Sequence, residues 1–274
     1  MERDGRVKAP APPVPRRAAT VMLLRNGNDH AGGMEVFMIV RHQNSDVHGG
    51  ALVFPGGRVD DEDYDLEADA AVFPPLAGVD ANMAALRVAA VRETFEECGV
   101  LLARTRGDVA LVSAERLRDI EATHRAPMTR KERTFGAILA AEDLVIASDA
   151  MVYFANWITP ERSTKRFDTH FFLAAAPPDQ VALHDGHEAV DSVWIAPATA
   201  LERARAGLYQ LRFPTQMNLQ KLGRHAMPAA AMDAARQSKV VTVMSKQEKT
   251  ADGRRMLRLP LEADYGGEVF EPLF

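Results

Sequence analysis

"RETFEECGV", residues 92–100, packs three glutamates, one arginine and the chain's only cysteine into nine positions. It closes a longer run, "ANMAALRVAAVRETFEECGVLLA" (81–103), dominated by alanine, leucine, arginine and glutamate. That composition reads as a helix, with Gly99 where a C-terminal cap would stand. At about 100° per residue, with Glu93 set at 0°, Glu97 falls near 40° and Glu96 near −60°. The three acids share one face, and Val88, Val91, Phe95 and Cys98 cluster on the other. The apolar side is the one that docks on a core. The glutamate face is therefore expected to point away from the packing surface, toward water or a cleft. Like charges at i, i+3 and i+4 repel by roughly 0.2–0.5 kcal/mol per pair. Position 100 is Val and 101 is Leu, so no basic residue follows to relieve them, and acids near a helix C-terminus also oppose its dipole. Two readings remain: a solvated charged face, or a site completed by a cation. Oxygen-only ligands of this kind suit Mg²⁺ or Mn²⁺.

Upstream, "AATVMLLR" (18–25) and "MEVFMIVRH" (34–42) are strand-like, separated by the turn chemistry of "NGNDHAGG". "ALVFPGGRV" (51–59) is a third strand, expected to end where the chain turns at Pro-Gly-Gly. Residues 60–80, acidic and punctuated by Pro and Gly, read as a surface loop. Residues 113–146 read as two or three short helices. "MVYFANWIT" (151–159), "KRFDTHFFLAAA" (165–176) and "DSVWIA" (191–196) read as strands, and "PATALERARAGL" (197–208) and "PTQMNLQKLGRHA" (214–226) as helices. The tail offers "KVVTVMS" and "RRMLRLPL" as hairpin strands around "KQEKTADG". Strands interleaved with helices, some joined by short turns, give an α/β or α+β sandwich with a mixed sheet.

With 274 residues, 47% of them hydrophobic, the chain is long enough to bury a sizeable core without a metal or disulfide staple. A net charge of −5 excludes the basic footprint of a general nucleic-acid binder, and no helix-turn-helix stands out. No run approaches a membrane span, and residues 1–17, "MERDGRVKAPAPPVPRR", hold four prolines and no apolar secretory core. They read as a flexible lead-in. One cysteine permits no intrachain disulfide, so the expected compartment is the reducing cytoplasm.

"RETFEECGV" resembles the second half of the Nudix box, with Thr94 at a usually apolar position. "FPGGRVDDED" (54–63) resembles the first half, which opens on Gly-Gly and reaches an acid six positions after the second glycine. Counting from Gly57 gives Asp63, where the family usually has Glu; counting from Gly56 would give Glu62. The first register keeps the double glycine in place. The family has seven residues between that acid and the arginine, whereas 28 separate Asp63 from Arg92 here. The excess falls in the expected loop, at 64–83, and loop closure costs only slowly with length. An insertion there resembles one subgroup, the peroxisomal coenzyme A diphosphatase and its bacterial relatives.

The resemblance implies a Nudix-type α/β/α sandwich over 18–204, a C-terminal extension over 205–274, and hydrolysis of a small nucleotide-type diphosphate with Mg²⁺ or Mn²⁺. It implies Glu93, Glu96 and Glu97 as ligands, Arg92 holding a glutamate through a bidentate pair, and the Gly56–Gly57 turn bringing backbone close to metal and phosphates, with Gly57 among the metal's neighbours. Glu188, in "HDGHEAVDSVWI", is a candidate base or extra ligand, set against an ordinary solvated loop acid. Arg162 and Arg166, with Lys165, form a basic cluster that would bind phosphates, or an ordinary solvated loop. Phe167 or Trp157 would stack on a base unless they belong to the core. Cys98, on the apolar face, reads as a buried structural thiol.

For the substrate, "RHQNSDVHGGALVF" keeps the Arg41 and Gly50 of a coenzyme A signature, but has His42 and Asp46 where Ser and Arg are expected. A carboxylate at 46 would repel the 3′-phosphate. The leading expectation is hydrolysis of coenzyme A or acyl-CoA. The alternatives are a pyrophosphatase for ADP-ribose, NADH or a nucleotide sugar, and a non-catalytic Nudix-fold sensor, which the intact Arg92, Glu93, Glu96 and Glu97 disfavour. Pairing of tail strand edges into a homodimer is a further expectation.

Overall fold

A computed structural model describes residues 11–27, 33–41, 50–180, 182–183 and 189–273. The main sheet starts with β1 (Arg16–Asn26), whose two halves take different neighbours on one side. Leu24–Asn26 pair antiparallel with β2 (Met34–Arg41), while Ala18–Thr20 pair with a later strand. After β3 (Leu52–Val53), on the edge of β2, the chain does not turn away at Pro-Gly-Gly as expected. It continues as β4 (Gly56–Arg58), antiparallel to Ala18–Thr20. The glycines permit this because Gly56 takes φ 151°, which other residues rarely adopt.

Residues 60–80 are also more ordered than expected. They hold α1 (Asp61–Ala68), started by a capping box in which the Asp63 carboxylate accepts the Asp60 N–H (2.8 Å). Beyond it, Val72 and Phe73 are buried in the core. The acidic residues thus serve a helix N-terminus, and the insertion contributes two apolar side chains.

Helix α2 (Ala81–Cys98) is capped at both ends: the Asp80 side chain accepts the Met83 N–H, and Gly99 takes the left-handed conformation (φ 66°). A small antiparallel pair, β5 (Ala103–Thr105) with β6 (Leu144–Ile146), brackets α3 (Ala114–Ile120), a π-helical turn (Glu121–Arg125), α4 (Ala126–Thr129) and α5 (Phe135–Ala141). Then β7 (Met151–Ile158) and β8 (Phe167–Ala175) pair antiparallel, and β8 runs parallel to β1. β9 (Ala189–Ile195) lies on the outer side of β2.

The chain next forms α6 (Pro197–Arg205), α7 (Phe213–Leu222) and α8 (Pro228–Gln237), the last not anticipated because its alanine-rich run carries little apolar bulk. Two residues of "KVVTVMS" form β10 (Thr242–Val243), parallel to β7. The expected tail hairpin is shifted: β11 (Lys246–Lys249), read as turn, pairs with β12 (Arg255–Arg258), and β13 (Val269–Phe270) joins them. Arg258 pairs with Glu248 and Glu268 across this sheet, and such charged strands are not revealed by apolar alternation.

Two apolar clusters flank the main sheet. One joins Ala19, Val21, Leu23 and Phe172 to α2, α3 and α5. The other joins Met22, Leu24, Phe171 and Leu173 to α6, α7, α8 and Tyr265. The result is an α/β/α sandwich with α2 on one face.

Candidate active site

Helix α2 is buried on nearly every side, because α1 and β4 cover the flank that the helical wheel turns toward water. Glu97 is only 4% exposed. Its Oε2 accepts the Gly56 N–H at 2.7 Å, a charge-assisted bond that ties β4 to the last turn of the helix. Glu93 lies against Gly57, where an added methyl group would overlap its carboxyl. Glu96 is the most open of the three, its side chain 29% exposed.

Arg92 organises the acids. Its Nε and one terminal nitrogen donate to the two oxygens of fully buried Asp63, both at 2.9 Å. The other terminal nitrogen donates to Glu93 (2.8 Å), and a further bond goes to the Arg58 carbonyl (2.8 Å). The bidentate partner is thus Asp63, and Glu93 receives a single bond. Burial pushes the Asp63 carboxyl up, opposed by Arg92 and the Asp60 N–H. Burial would lower the Arg92 guanidinium, but Asp63 and Glu93 raise it, so it stays a cation. Burial also lifts the Glu93 carboxyl to about 7, with Arg92 pulling it down and Glu96 pushing it up.

The ladder between β1 and β4 separates the two glycines. Val59 N–H donates to Arg17 O (3.0 Å), and Val21 N–H to Pro55 O (2.9 Å). Antiparallel alternation makes Ala19/Gly57 the hydrogen-bonded pair between them and Thr20/Gly56 the open one. The polar backbone of Gly57 is turned to β1, and that of Gly56 faces outward, where its N–H meets Glu97.

Two other residues of the motif are structural. Thr94, fully buried, donates its hydroxyl to Ala90 O (2.7 Å), which satisfies a polar group at an apolar position. Cys98 donates Sγ–H to Thr94 O (2.9 Å), and burial pushes its thiol up, away from nucleophilic ionisation.

Arg162 and Arg166 have partners of their own. The buried guanidinium of Arg166 donates to Thr159 O (3.0 Å) and Pro13 O (2.8 Å), so it braces the loop between β7 and β8 and is not presented to phosphate. Arg162 reaches Gln247 in the tail sheet. Trp157 is core: its Nε1–H donates to Tyr265 Oη (2.8 Å). Phe167 opens β8, half-buried. Arg41 ends β2, its backbone paired with Ala189. Glu188, His184, His187, His42 and Asp46 lie outside the described residues.

The sequence did not single out Arg125. From the π-helical turn it reaches the main-chain carbonyl of Glu96 with Nε and a terminal nitrogen, both at 3.3 Å. No local signal joins residues 29 positions apart.

Glu93 is turned to Arg92 and Glu97 to Gly56, and among the described residues no three His, Cys, Asp or Glu side chains converge as a metal cluster. The donor chemistry nonetheless fits a hard divalent cation. Three carboxylates stand within five residues of one helix, beside a glycine cradle that admits no side chain. A carboxylate has about four acceptor sites, so the Gly56 amide orients Glu97 without exhausting it.

A mixed sheet between helical layers, with an Arg-anchored glutamate helix under a double-glycine strand, is the Nudix architecture. The family described as the NUDT19 Nudix domain matches residues 76–222, more than half of the chain, and the chain belongs to that family. The match opens beyond Gly56, Gly57 and Asp63, so their part in the box rests on the geometry above. The chain is 26% identical over 245 residues to the acyl-coenzyme A diphosphatase NUDT19 of Homo sapiens, covering 70% of this chain and 64% of that protein. With the Xenopus laevis protein of the same name the identity is 24% over 217 residues, covering 65% and 56%. The chain thus spans less than two thirds of the length of these relatives. The crystal structure of a NUDIX hydrolase from Alicyclobacillus acidocaldarius superposes with a TM-score of 0.62 at 25% identity, covering 80% of this chain and 96% of that one. Among the described residues no helix is long and apolar enough to cross a membrane.

Proposed function

We propose that the chain is a metal-dependent Nudix diphosphohydrolase acting on coenzyme A or acyl-CoA. The observation that carries this reading is the Gly56 N–H on Glu97, which ties the double-glycine strand to the glutamate helix. The names of the NUDT19 relatives support the substrate class.

When bound, Mg²⁺ or Mn²⁺ supplies neutralisation of phosphate charge and an activated water. Glu93, Glu96 and Glu97 are the side chains that hold it. Gly56, whose carbonyl faces out of the ladder, is a better backbone ligand than Gly57. Arg92 fixes Glu93 from one side, and its pair with Asp63 fixes Arg92. Water adds to one phosphorus and the bridging P–O bond breaks. Each product then keeps one phosphate of the former diphosphate: 4′-phosphopantetheine, or its acyl form, and adenosine 3′,5′-bisphosphate, which also keeps its own 3′-phosphate.

The test is a product-resolved hydrolysis screen of coenzyme A, acetyl-CoA, NADH and ADP-ribose with Mg²⁺ or Mn²⁺. Adenosine 3′,5′-bisphosphate is expected from the wild type, and a loss of about a hundredfold or more in Glu97→Gln. Full turnover by Glu97→Gln would sink the assignment of the helix. Asp46 favours the second reading, since it would repel a 3′-phosphate; AMP from ADP-ribose or NADH, with coenzyme A untouched, would establish it. Binding without turnover on every substrate would identify a sensor.

A further inference from the structure

The last turn of α2 carries Glu96 and Glu97 and no basic residue of its own. A helix end leaves four carbonyls without an intrahelical partner. Here Phe95 O accepts the Gly99 N–H (3.0 Å) and Cys98 O accepts the Leu183 N–H (3.1 Å). Glu96 O is held from another element, by the two nitrogens of Arg125. The same guanidinium donates to Leu183 O (3.3 Å) and to the Glu121 carboxylate (3.1 Å). One side chain therefore binds the end of the glutamate helix, the main chain at Leu183, and its own π-turn.

The local chemistry explains the placement. The π-turn, Glu121–Arg125, interrupts the α-helical run between α3 and α4 and presents both of its charged ends to Gly99. A methyl group at Gly99 would overlap the Glu121 carboxylate and press on Arg125. Gly99 thus provides the left-handed cap and the space for the clamp. A cation at a helix C-terminus also offsets the dipole that Glu96 and Glu97 oppose.

We propose that Arg125 is a positioning residue for the metal-binding edge of the helix, a role that rests on the Nudix reading of α2. It holds the main chain of Glu96, the residue whose side chain is one of the three carboxylate ligands, and so sets where the last turn ends and where the Glu96 and Glu97 carboxylates stand. Both Arg125 and Glu121 keep about a quarter of their side chains in solvent (21% and 28%), and such pairs contribute little to folding. The effect of losing Arg125 therefore falls on the ligands more than on the fold.

The experiment measures Mn²⁺ binding by the full chain, by calorimetry without substrate, for wild type, Arg125→Met and Arg125→Lys, alongside thermal melts. Loss of groups that orient metal ligands typically weakens metal affinity by about tenfold or more. Arg125→Met is expected to show that loss with only a small fall in Tm. Arg125→Lys should recover part of the affinity, because it restores charge without the fork that spans both carbonyls. Should Arg125→Met fail to fold, Arg125→Lys carries the test, with a weakened Kd expected at unchanged Tm. Wild-type Mn²⁺ affinity in the folded variants would overturn the proposal and leave the Nudix reading standing. Absence of Mn²⁺ binding by the wild type would overturn both.

Discussion

Glu93 receives a hydrogen bond from Arg92, yet its carboxyl is raised from an ordinary 4.5 to about 7, because burial outweighs the cation and Glu96 adds repulsion. A group whose folded pKa lies above its unfolded value contributes fully to stability below the unfolded value. That contribution is lost as pH rises through the folded value. Without divalent cation the ionised carboxylate therefore burdens the fold at pH 8 and not at pH 4. Glu93→Gln keeps the acceptor for Arg92 and removes the charge. In EDTA it is expected to raise stability at pH 8 by on the order of 1–3 kcal/mol, with the gain fading toward pH 5. Melts at both pH values check this; a variant less stable than wild type at pH 8 would mean that the Arg92 ion pair outweighs burial. The motif residues themselves were legible in the sequence, since all lie within one helical turn and a half. Their partners were less so. Arg92 was expected to clamp a glutamate, but its bidentate acceptor is Asp63, brought across 28 intervening residues by the start of α1.

Strand β4 shows how an element can be misread by a good local rule. Pro-Gly-Gly usually ends a strand, yet here β1 supplies the ladder and Gly56 takes a backbone angle that the turn rule does not consider. The helices and the long strands were legible because their apolar spacing is long and regular. Helix α1, strand β11 and helix α8 were not: the first two are rich in charged residues and the third in alanine, so none shows a clear apolar period. The two glycines of β4 are expected to differ sharply on substitution. At Gly57 a methyl group meets the end of the Glu93 side chain, which can move. Gly57→Ala should fold with a near-native melt and lose about tenfold or more in Mn²⁺ affinity. At Gly56 a methyl group meets the backbone of Ala19 and Thr20 at a φ of 151°. Gly56→Ala should lose about 2 kcal/mol or more in stability before any question of metal arises. Circular-dichroism melts paired with calorimetry separate the two, and equal melts for both would contradict the ladder assignment.

Across the whole molecule, the sheet divides two kinds of work. One face carries α2 and its acids. The other is covered by α6, α7, α8 and the tail, in an apolar cluster that crosses residues 204 and 205 without a gap. At its centre the Tyr265 hydroxyl accepts the Trp157 Nε1–H and donates to Asn218 Oδ1, both at 2.8 Å. Lys221 lies over the Phe154 and Tyr265 rings (5.3 and 5.2 Å) and donates to Ala263 O (3.1 Å). The sequence could not reveal this layer, since Trp157 and Tyr265 are 108 positions apart and neither stands in a periodic run that names its partner. Tyr265→Phe removes one hydroxyl and leaves Trp157 only its 3.3 Å bond to Asn218, whose Nδ2 is already without a partner. Leaving such buried groups unsatisfied costs about 1–3 kcal/mol. Because the network lies on the face opposite the glutamates, Mn²⁺ affinity and turnover should stay close to wild type while the urea midpoint falls. A parallel loss of Mn²⁺ affinity in a folded Tyr265→Phe protein would show that the two faces of the sheet are mechanically coupled through β7 and β8, and the tail would then belong to the site as well as to the fold.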